Sequence, residues 1–577
     1  MNDIGTFSLL YPDQKNITIS KLSETACHDL GLDNICRKMT DDTKEQRLIM
    51  NVLSEMTADR AAALYRQKIF ADILRLPELR KRMTELFDKV EFIRNFGIMH
   101  KDSDEKLGLW HLMHRLEDLS NYIKCVEEMR ECLADAEISS DGLIRFKEHI
   151  DMLYNEAFFA EMKKDIAALK ITASDIKSVT IGINVNERFE AVSMGLVSVN
   201  DKPFKKSGII SNFADAISSK DKIQSGSEWN GDMHYHMVEQ EKDNGAVALL
   251  EKTAAVQIAQ NPLMDIRTKS TIVNMPEGDG ANNSTFYLEN VLNKMLDSLV
   301  KKLRDTLTKY ANVAVVNISQ LIPEFVYYIR TAEFVESCME KGFPFCEPQL
   351  SGNDSISMNA KGFYNLKLAV SIPDKNDIVY NDLVFDNEHT IYILTGANRG
   401  GKTTVTQAVG LMFVLAQGGL FVPASEFVYR PADCIFTHFP ADEDKTMDLG
   451  RLGEECIRFK EIYGSCTKDS LLLMNETFST TSFEEGYFIA KDSVRALLKK
   501  EVRTIYNTHM HKLAADTDEL NKAGGNAKAA SLIVKNEGNK RSFKIEIAPP
   551  EGMSYAMDIA EKYGVTYDML VGNMIQE

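Results

Sequence analysis

Apolar positions recur at three- and four-residue steps from about residue 20 to residue 175, where Gly and Pro are sparse, and the spacing predicts an all-helical region. The segment EQRLIMNVLSEMTADRAAALYRQKIFADILRLPELRKRMTELFDKVEFI carries that period furthest, broken at Pro77, as helices that pack on one another do. Near Ile176 the pattern changes. SVTIGINVNERFEAVSMGLVSVN alternates and is rich in Val and Ile, which predicts two or three short strands. Polar, glycine-containing sequence from about Ser218 to Asn283 reads as mobile connections around one short helix. Helical spacing returns at Ser284, with Leu288, Val291, Leu292, Met295, Leu299, Leu303 and Leu307 on one face, and a further helical stretch ends at Gly342 and Pro344. From Phe363 strands and helices alternate, as in an α/β domain. Strands are expected at Ile391 to Leu394, Leu471 to Met474, Thr504 to Tyr506 and Phe543 to Ile547, and helices after Gly401, from about Glu484 to Lys499, and as a last pair between Met553 and Gly572.

A length of 577 residues suggests roughly three to five domains. The 44% hydrophobic and 26% charged content is that of a globular protein in water. No apolar run is long enough to cross a bilayer and the first residues carry no basic leader, so the expected location is the cytoplasm, away from membranes. Nine cysteines without a CxxC pair predict neither a disulfide framework nor a zinc site. A net charge of −18 argues against coating nucleic acid with the whole surface and leaves room for a local basic strip. Arg80-Lys81-Arg82, Lys163-Lys164, Lys205-Lys206 and Lys301-Lys302 with Arg304 could form one, although a solvated face is the favoured reading of each.

The chemistry concentrates in TIYILTGANRGGKTT, Thr390 to Thr404: an apolar strand, a glycine loop and a helix, in the order the phosphate-loop motif requires. Gly396, Ala397, Asn398, Arg399, Gly400 and Gly401 would turn backbone N–H groups around phosphate oxygens, backed by the positive end of the following helix. Lys402 would reach the terminal phosphates, Thr403 would ligate Mg²⁺, and Thr404 completes the ATP-binding segment. LLLMNETFSTTS, Leu471 to Ser482, is a buried strand ending in Asn475 and Glu476. Phosphate-loop ATPases usually place Asp then Glu there, the first for the metal and the second for the attacking water. Here Asn475 would serve the metal with one charge fewer, and Glu476 remains as the base. His509, ending a third strand, could sense the terminal phosphate. His234, His236 and Glu239 offer three ligands in a polar loop without a fourth, which argues against a separate metal site.

Taken together, these residues resemble the MutS-type ATPases of DNA mismatch repair and recombination. The family's loop is typically TGPNMGGKS, against TGANRGGKT from Thr395 to Thr403 here. The likeness extends to Asn381-Asp382, to GLFVPA from Gly419 to Ala424, to DCIFT from Asp433 to Thr437 with Ala441-Asp442, to Thr481-Ser482 and to Thr508-His509. Gly552 to Tyr555, Ala560 and Gly564-Val565 are similar to terminal helices that dimerise the family's ATPase domains. The resemblance implies a helical core and lever in residues 1–177, a β-containing clamp-like insertion in 178–283, returning helices in 284–360, and an ATPase domain of the ABC/MutS type in 361–577. It also implies ATP and Mg²⁺ as cofactors, a homodimer, and a DNA-dependent ATPase acting on branched or distorted DNA. Gly450 stands where the family's signature serine is expected, which puts activation by a partner subunit in doubt. No mismatch-reading domain, Phe-x-Glu wedge or appended nuclease module is evident, so wedge recognition of mispairs is not expected. The alternative is a nucleotide-switched DNA- or protein-binding module with little or no hydrolysis.

Overall fold

The computed structural model describes residues 8–12, 17–97, 108–174, 178–185, 187, 191–200, 273–274, 297–310, 315–352, 356–372, 375–396, 400–440, 450–523, 525–537, 540–550, 561 and 563–572. Two compact units divide the chain: Met1–Thr84, Asp135–Glu148 and Gln320–Glu577 form one, and Glu85–Ala134 with His149–Ser319 the other. The first unit is therefore assembled from three separated stretches.

Its N-terminal helices start where the sequence supplies acceptors for free backbone N–H groups. Ser23 caps Glu24–Leu30 through Ala26 N at 3.1 Å, and Asp42 caps Thr43–Ser54 through Lys44 N and Glu45 N at 2.6 and 3.1 Å. Asp59 caps Arg60–Arg75 through Ala62 N at 2.7 Å. Pro77 does not kink a helix but begins one, Pro77–Gly97, where its missing N–H costs nothing. Apart from a two-residue pairing of Ser20–Lys21 with Glu55–Met56, the regular elements among the described residues from 20 to 174 are helices, as expected.

The C-terminal stretch builds a six-stranded sheet from β1 (Ile391–Thr395), β2 (Ile435–His438), β3 (Leu471–Asn475), β4 (Arg503–Asn507), β5 (Ala529–Glu537) and β6 (Lys540–Ile547). The spatial order is β2-β3-β4-β1-β5-β6, parallel except for the β5–β6 hairpin. All four expected strands are present, β2 and β5 are additional, and a separate four-stranded sheet joins Gln349–Leu350, Glu426–Tyr429, Ile356–Phe363 and Asn381–Asp386. Helix α1 (Lys402–Gln417) follows the glycine loop; α2 (Gly450–Ser465) and α3 (Phe483–Lys500) flank β3 in the chain.

Helix α1 is apolar nearly all round because it is covered on both sides. At Gly410 a Cβ would lie 2.5 Å from Leu30 Cδ2 and 2.7 Å from Leu473 Cδ1, so the glycine permits the N-terminal helices and the sheet to close on the same turn. The last turn is fixed by polar contacts: Gln417 Nε2 donates to Thr57 O at 2.9 Å and Ala432 O at 2.7 Å, while buried Arg66 donates to Gln417 O at 3.1 Å and Leu10 O at 2.9 Å.

In the second unit, helices Leu109–Ala134, Ala157–Ser174 and Asp297–Thr308 pack together, and Tyr310 Oη donates to Asp165 at 2.8 Å. Ser178–Val185 and Ala191–Asn200 form the expected antiparallel pair, with Val273–Asn274 as a third strand. The expected loops and short helix from about Ser218 to Asn283, including His234, His236 and Glu239, lie outside the described residues except for 273–274, as do 284–296 of the returning helix and 551–560 of the last helical pair.

Candidate functional site

Three parallel strands aim their carboxyl ends at one place. β4 lies between β1 and β3, with Asn507 paired to Leu394 on one side and Asn475 on the other. The residues after β1, β3 and β4 consequently converge where an open α/β sheet binds ligands.

Gly396 at φ 142° and Gly401 at φ 90° occupy backbone space that a Cβ would strain. Gly401 is the N-cap of α1 and offers no side chain to the helix's first N–H groups, which leaves the positive end of a sixteen-residue helix open to an anion. Ala397, Asn398 and Arg399 lie outside the described residues. Lys402 is 5% exposed and donates to Gly396 O at 2.9 Å, folding its ammonium across the loop. Burial lowers its pKa, and the Glu476 carboxylate works in the opposite direction. Thr404 contributes its carbonyl to Asn365 Nδ2 at 2.8 Å, tying the first turn of α1 to the segment after Phe363.

Thr403 Oγ1 donates to Asn475 Oδ1 at 3.0 Å, so the two expected metal residues do meet. Glu476 follows in the left-handed region at φ 52°, and Phe478 is there too at φ 63°. Such backbone is held from outside. Glu476 N donates to Asn507 O at 2.8 Å, Phe478 N to Glu455 Oε2 at 2.8 Å, and Tyr506 Oη to Thr477 O at 2.8 Å. Buried His438 completes the frame, with Nδ1 3.0 Å from Thr477 Oγ1 and Nε2 donating to Glu455 O at 3.1 Å. Desolvation, with the Arg458 charge second, pushes its pKa down to about 4. The result of this bracing is a Glu476 carboxylate that reaches His509 Nε2 at 2.9 Å. Gly450, in place of the expected serine, opens α2 at φ 72° with nothing within 4 Å of where a Cβ would be.

A cavity of about 420 Å³ brings these groups together: Lys402, Thr403, Glu476 and His509 line it together with the apolar Phe363, Tyr364, Leu368, Ile378 and Phe543. Gly401 brings the loop close to Phe543, whose Cδ1 would lie 3.2 Å from an added Cβ. Asn381 secures the strand bearing Phe543, accepting from Ile545 N at 2.9 Å and donating to Phe543 O at 3.3 Å. The sequence pattern did not point to Phe543 or Asn507 as site residues. Phe543 reads as one more strand residue, and only the amide immediately before Thr508-His509 could have marked Asn507.

The donor set suits a nucleoside triphosphate and a hard cation. An uncapped helix N-terminus and a buried ammonium match phosphate, while a hydroxyl and an amide oxygen 3.0 Å apart are oxygen ligands of the kind Mg²⁺ takes. Asn507 lies beside them, its Nδ2 3.3 Å from Thr403 Oγ1 and its Oδ1 buried without a hydrogen-bond partner. Among the described residues no cluster of three or more His, Cys, Asp or Glu could hold a metal elsewhere.

Comparison with known proteins covers both halves of the chain. The model of MutS domain V matches residues 392–572, and that of the MutS2 N-terminal domain matches residues 58–340. The DNA mismatch repair protein MutS of Methanothrix thermoacetophila is 34% identical over 195 residues, 33% of this chain and 22% of that protein. MutS of Chlorobium phaeobacteroides is 28% identical over 247 residues, 42% of this chain and 27% of its own length. The Endonuclease MutS2 of Thermus thermophilus is 27% identical over 194 residues, 34% of this chain and 25% of that protein. The chain thus spans about a quarter of the length of these relatives. With one family segment over the N-terminal helices and the other over the strand-loop-helix that builds the cavity, the chain belongs to the MutS family.

Proposed function

We propose that the chain binds ATP in the cavity beside Gly401, hydrolyses it slowly, and uses the nucleotide state to control a grip on branched or distorted DNA. The observation that carries this reading is the convergence of Lys402 and Thr403, after β1, with Asn475 and Glu476, at the end of β3, on either side of β4. Gly396 to Thr404 form the phosphate loop, and Lys402 exchanges its contact with Gly396 O for phosphate oxygen. Thr403 and Asn475 would hold Mg²⁺, which when bound would offset phosphate charge and polarise the phosphoryl group. Glu476 orients and deprotonates the attacking water, and His509 holds that carboxylate until substrate arrives. The apolar lining residues, Phe543 among them, receive the base.

In this reading, residues 1–177 and 284–360 supply core and lever helices, 178–283 a clamp-like insertion, and 361–577 an ATPase domain that pairs with a second copy to encircle DNA in the cytoplasm. The DNA part draws on the printed names of the mismatch-repair relatives. With a net charge of −18, contact must run through a local basic strip. No helix among the described residues is long and apolar enough to cross a membrane.

ATP turnover and oligomer size, measured with and without a four-way junction across a salt series, test the proposal. Turnover should rise with junction DNA, fall as salt rises, and vanish in Glu476→Gln while nucleotide binding persists. Absence of turnover in every condition would leave the second reading, a nucleotide-switched binding module. The amide at Asn475 and the Glu476–His509 contact favour that alternative.

A further inference from the structure

Asn475 meets the site as an amide, and an amide has two unlike ends. With its oxygen toward Thr403 it accepts the hydroxyl proton, which leaves a hydroxyl lone pair for a cation. Reversed, its NH₂ would donate to that hydroxyl and turn the positive end of its dipole toward the cation. A carboxylate, whose ends are both acceptors, does not face this choice.

A neighbouring strand residue makes that choice. Asn507, directly opposite Asn475 in the β3–β4 register, donates through Nδ2 to Asn475 Oδ1 and, at 3.3 Å, to Thr403 Oγ1. Only an oxygen can accept that bond, so the Asn475 oxygen is held facing both neighbours. Asn507 is 1% exposed, and its own Oδ1 is buried without a partner. An unpaired buried acceptor is destabilising, and an apolar side chain of similar shape would avoid it. Packing alone therefore does not account for an amide at this position.

We infer that Asn507 is the positioning residue of the cation site: it fixes the Asn475 amide with oxygen toward Thr403 and so keeps a charge-poor site able to take a divalent cation. This rests on the nucleotide-binding reading above, and it concerns a residue outside the glycine loop and outside the Asn475-Glu476 pair. It also predicts an interdependence, because replacing Asn475 by a carboxylate removes the need for an orienting donor.

The test uses the full chain, a fluorescent ATP analogue and a Mg²⁺ titration, with Mn²⁺ binding by electron paramagnetic resonance as a readout independent of turnover. Asn507→Ala should raise the half-saturating cation concentration about tenfold, the equivalent of one hydrogen bond, while affinity for the analogue in EDTA stays within twofold. In the Asn475→Asp background the same substitution should change the cation requirement less than twofold. Asn507→Ser, small and polar but too short to reach Asn475, replaces the alanine variant if thermal unfolding shows that variant misfolded. An unchanged cation requirement overturns the inference, and so does an equal shift in both backgrounds, which would mark a packing role. If the wild-type chain binds no nucleotide even in EDTA, the functional reading fails and carries this inference with it; normal binding with an indifferent Asn507 sinks the inference alone.

Discussion

Acid should loosen the frame around Glu476 through a single imidazole. His438 is 2% exposed, and its Nε2–H donates to the Glu455 carbonyl while Nδ1 faces the Thr477 hydroxyl. Burial, reinforced by the Arg458 charge, depresses its pKa to about 4, against 6.5 for a free imidazole. The folded chain thus resists a proton that the unfolded chain accepts, so the stability contributed by the neutral ring is complete above pH 6.5. It is lost progressively as pH falls through the window down to about 4. Between pH 7.5 and pH 5 the loss comes to about 2 kcal/mol, tending toward about 3 kcal/mol at lower pH. Hydrogen–deuterium exchange read by mass spectrometry, corrected for intrinsic rate, gives the local opening free energy of Ile435–His438 and Leu471–Asn475. On moving to pH 5 these strands should lose about 2 kcal/mol more in wild type than in His438→Gln, whose amide keeps one donor and one acceptor but does not titrate. Equal losses, within about 0.5 kcal/mol, would refute the reasoning.

Other expectations follow from single contacts. Gly419→Ala would place a Cβ 2.4 Å from Arg66 Cβ and 2.7 Å from its backbone carbon at φ +86°, and should cost about 3 kcal/mol or more in urea unfolding. Asp72 accepts from Ser139 N at 2.8 Å, Ser139 Oγ at 2.7 Å and Ser140 N at 2.6 Å; these donors hold its pKa low although burial alone would raise it. Asp72→Ala, which strands all three, should also cost about 3 kcal/mol by the same measurement. Lys402→Met should weaken ATP binding roughly ten- to hundredfold by calorimetry without lowering the melting temperature, since it removes a buried ammonium as well as a charged hydrogen bond.

Two of the four expected strands announced themselves because they are buried on both faces. Ile391 to Leu394 and Leu471 to Met474 are uninterrupted apolar runs, and every one of those residues is at 0% exposure. β2 has only four residues, one of them the polar His438, and β5 opens on alanines, so neither carries a period long enough to register. The second sheet escaped for a different reason: its strands come from four separated segments, and no local pattern encodes such a pairing. That Lys402, Thr403, Asn475 and Glu476 come together was readable because the phosphate-loop pattern dictates residue type and spacing there. Asn507 was not, because an amide inside a strand acquires meaning only when the register sets it opposite Asn475.

The knot of Arg66, Gln417 and Thr57 at the far end of α1 also sets a timetable. The side chain of Arg66 closes onto a carbonyl made some 350 residues later, and Leu30 packs at Gly410 across a similar gap. At cellular synthesis rates that separation amounts to roughly half a minute, during which the apolar faces of the early helices lack their native cover. The nascent chain is then at its most vulnerable to mispairing and proteolysis before α1 emerges, and a shielding chaperone would act in that interval.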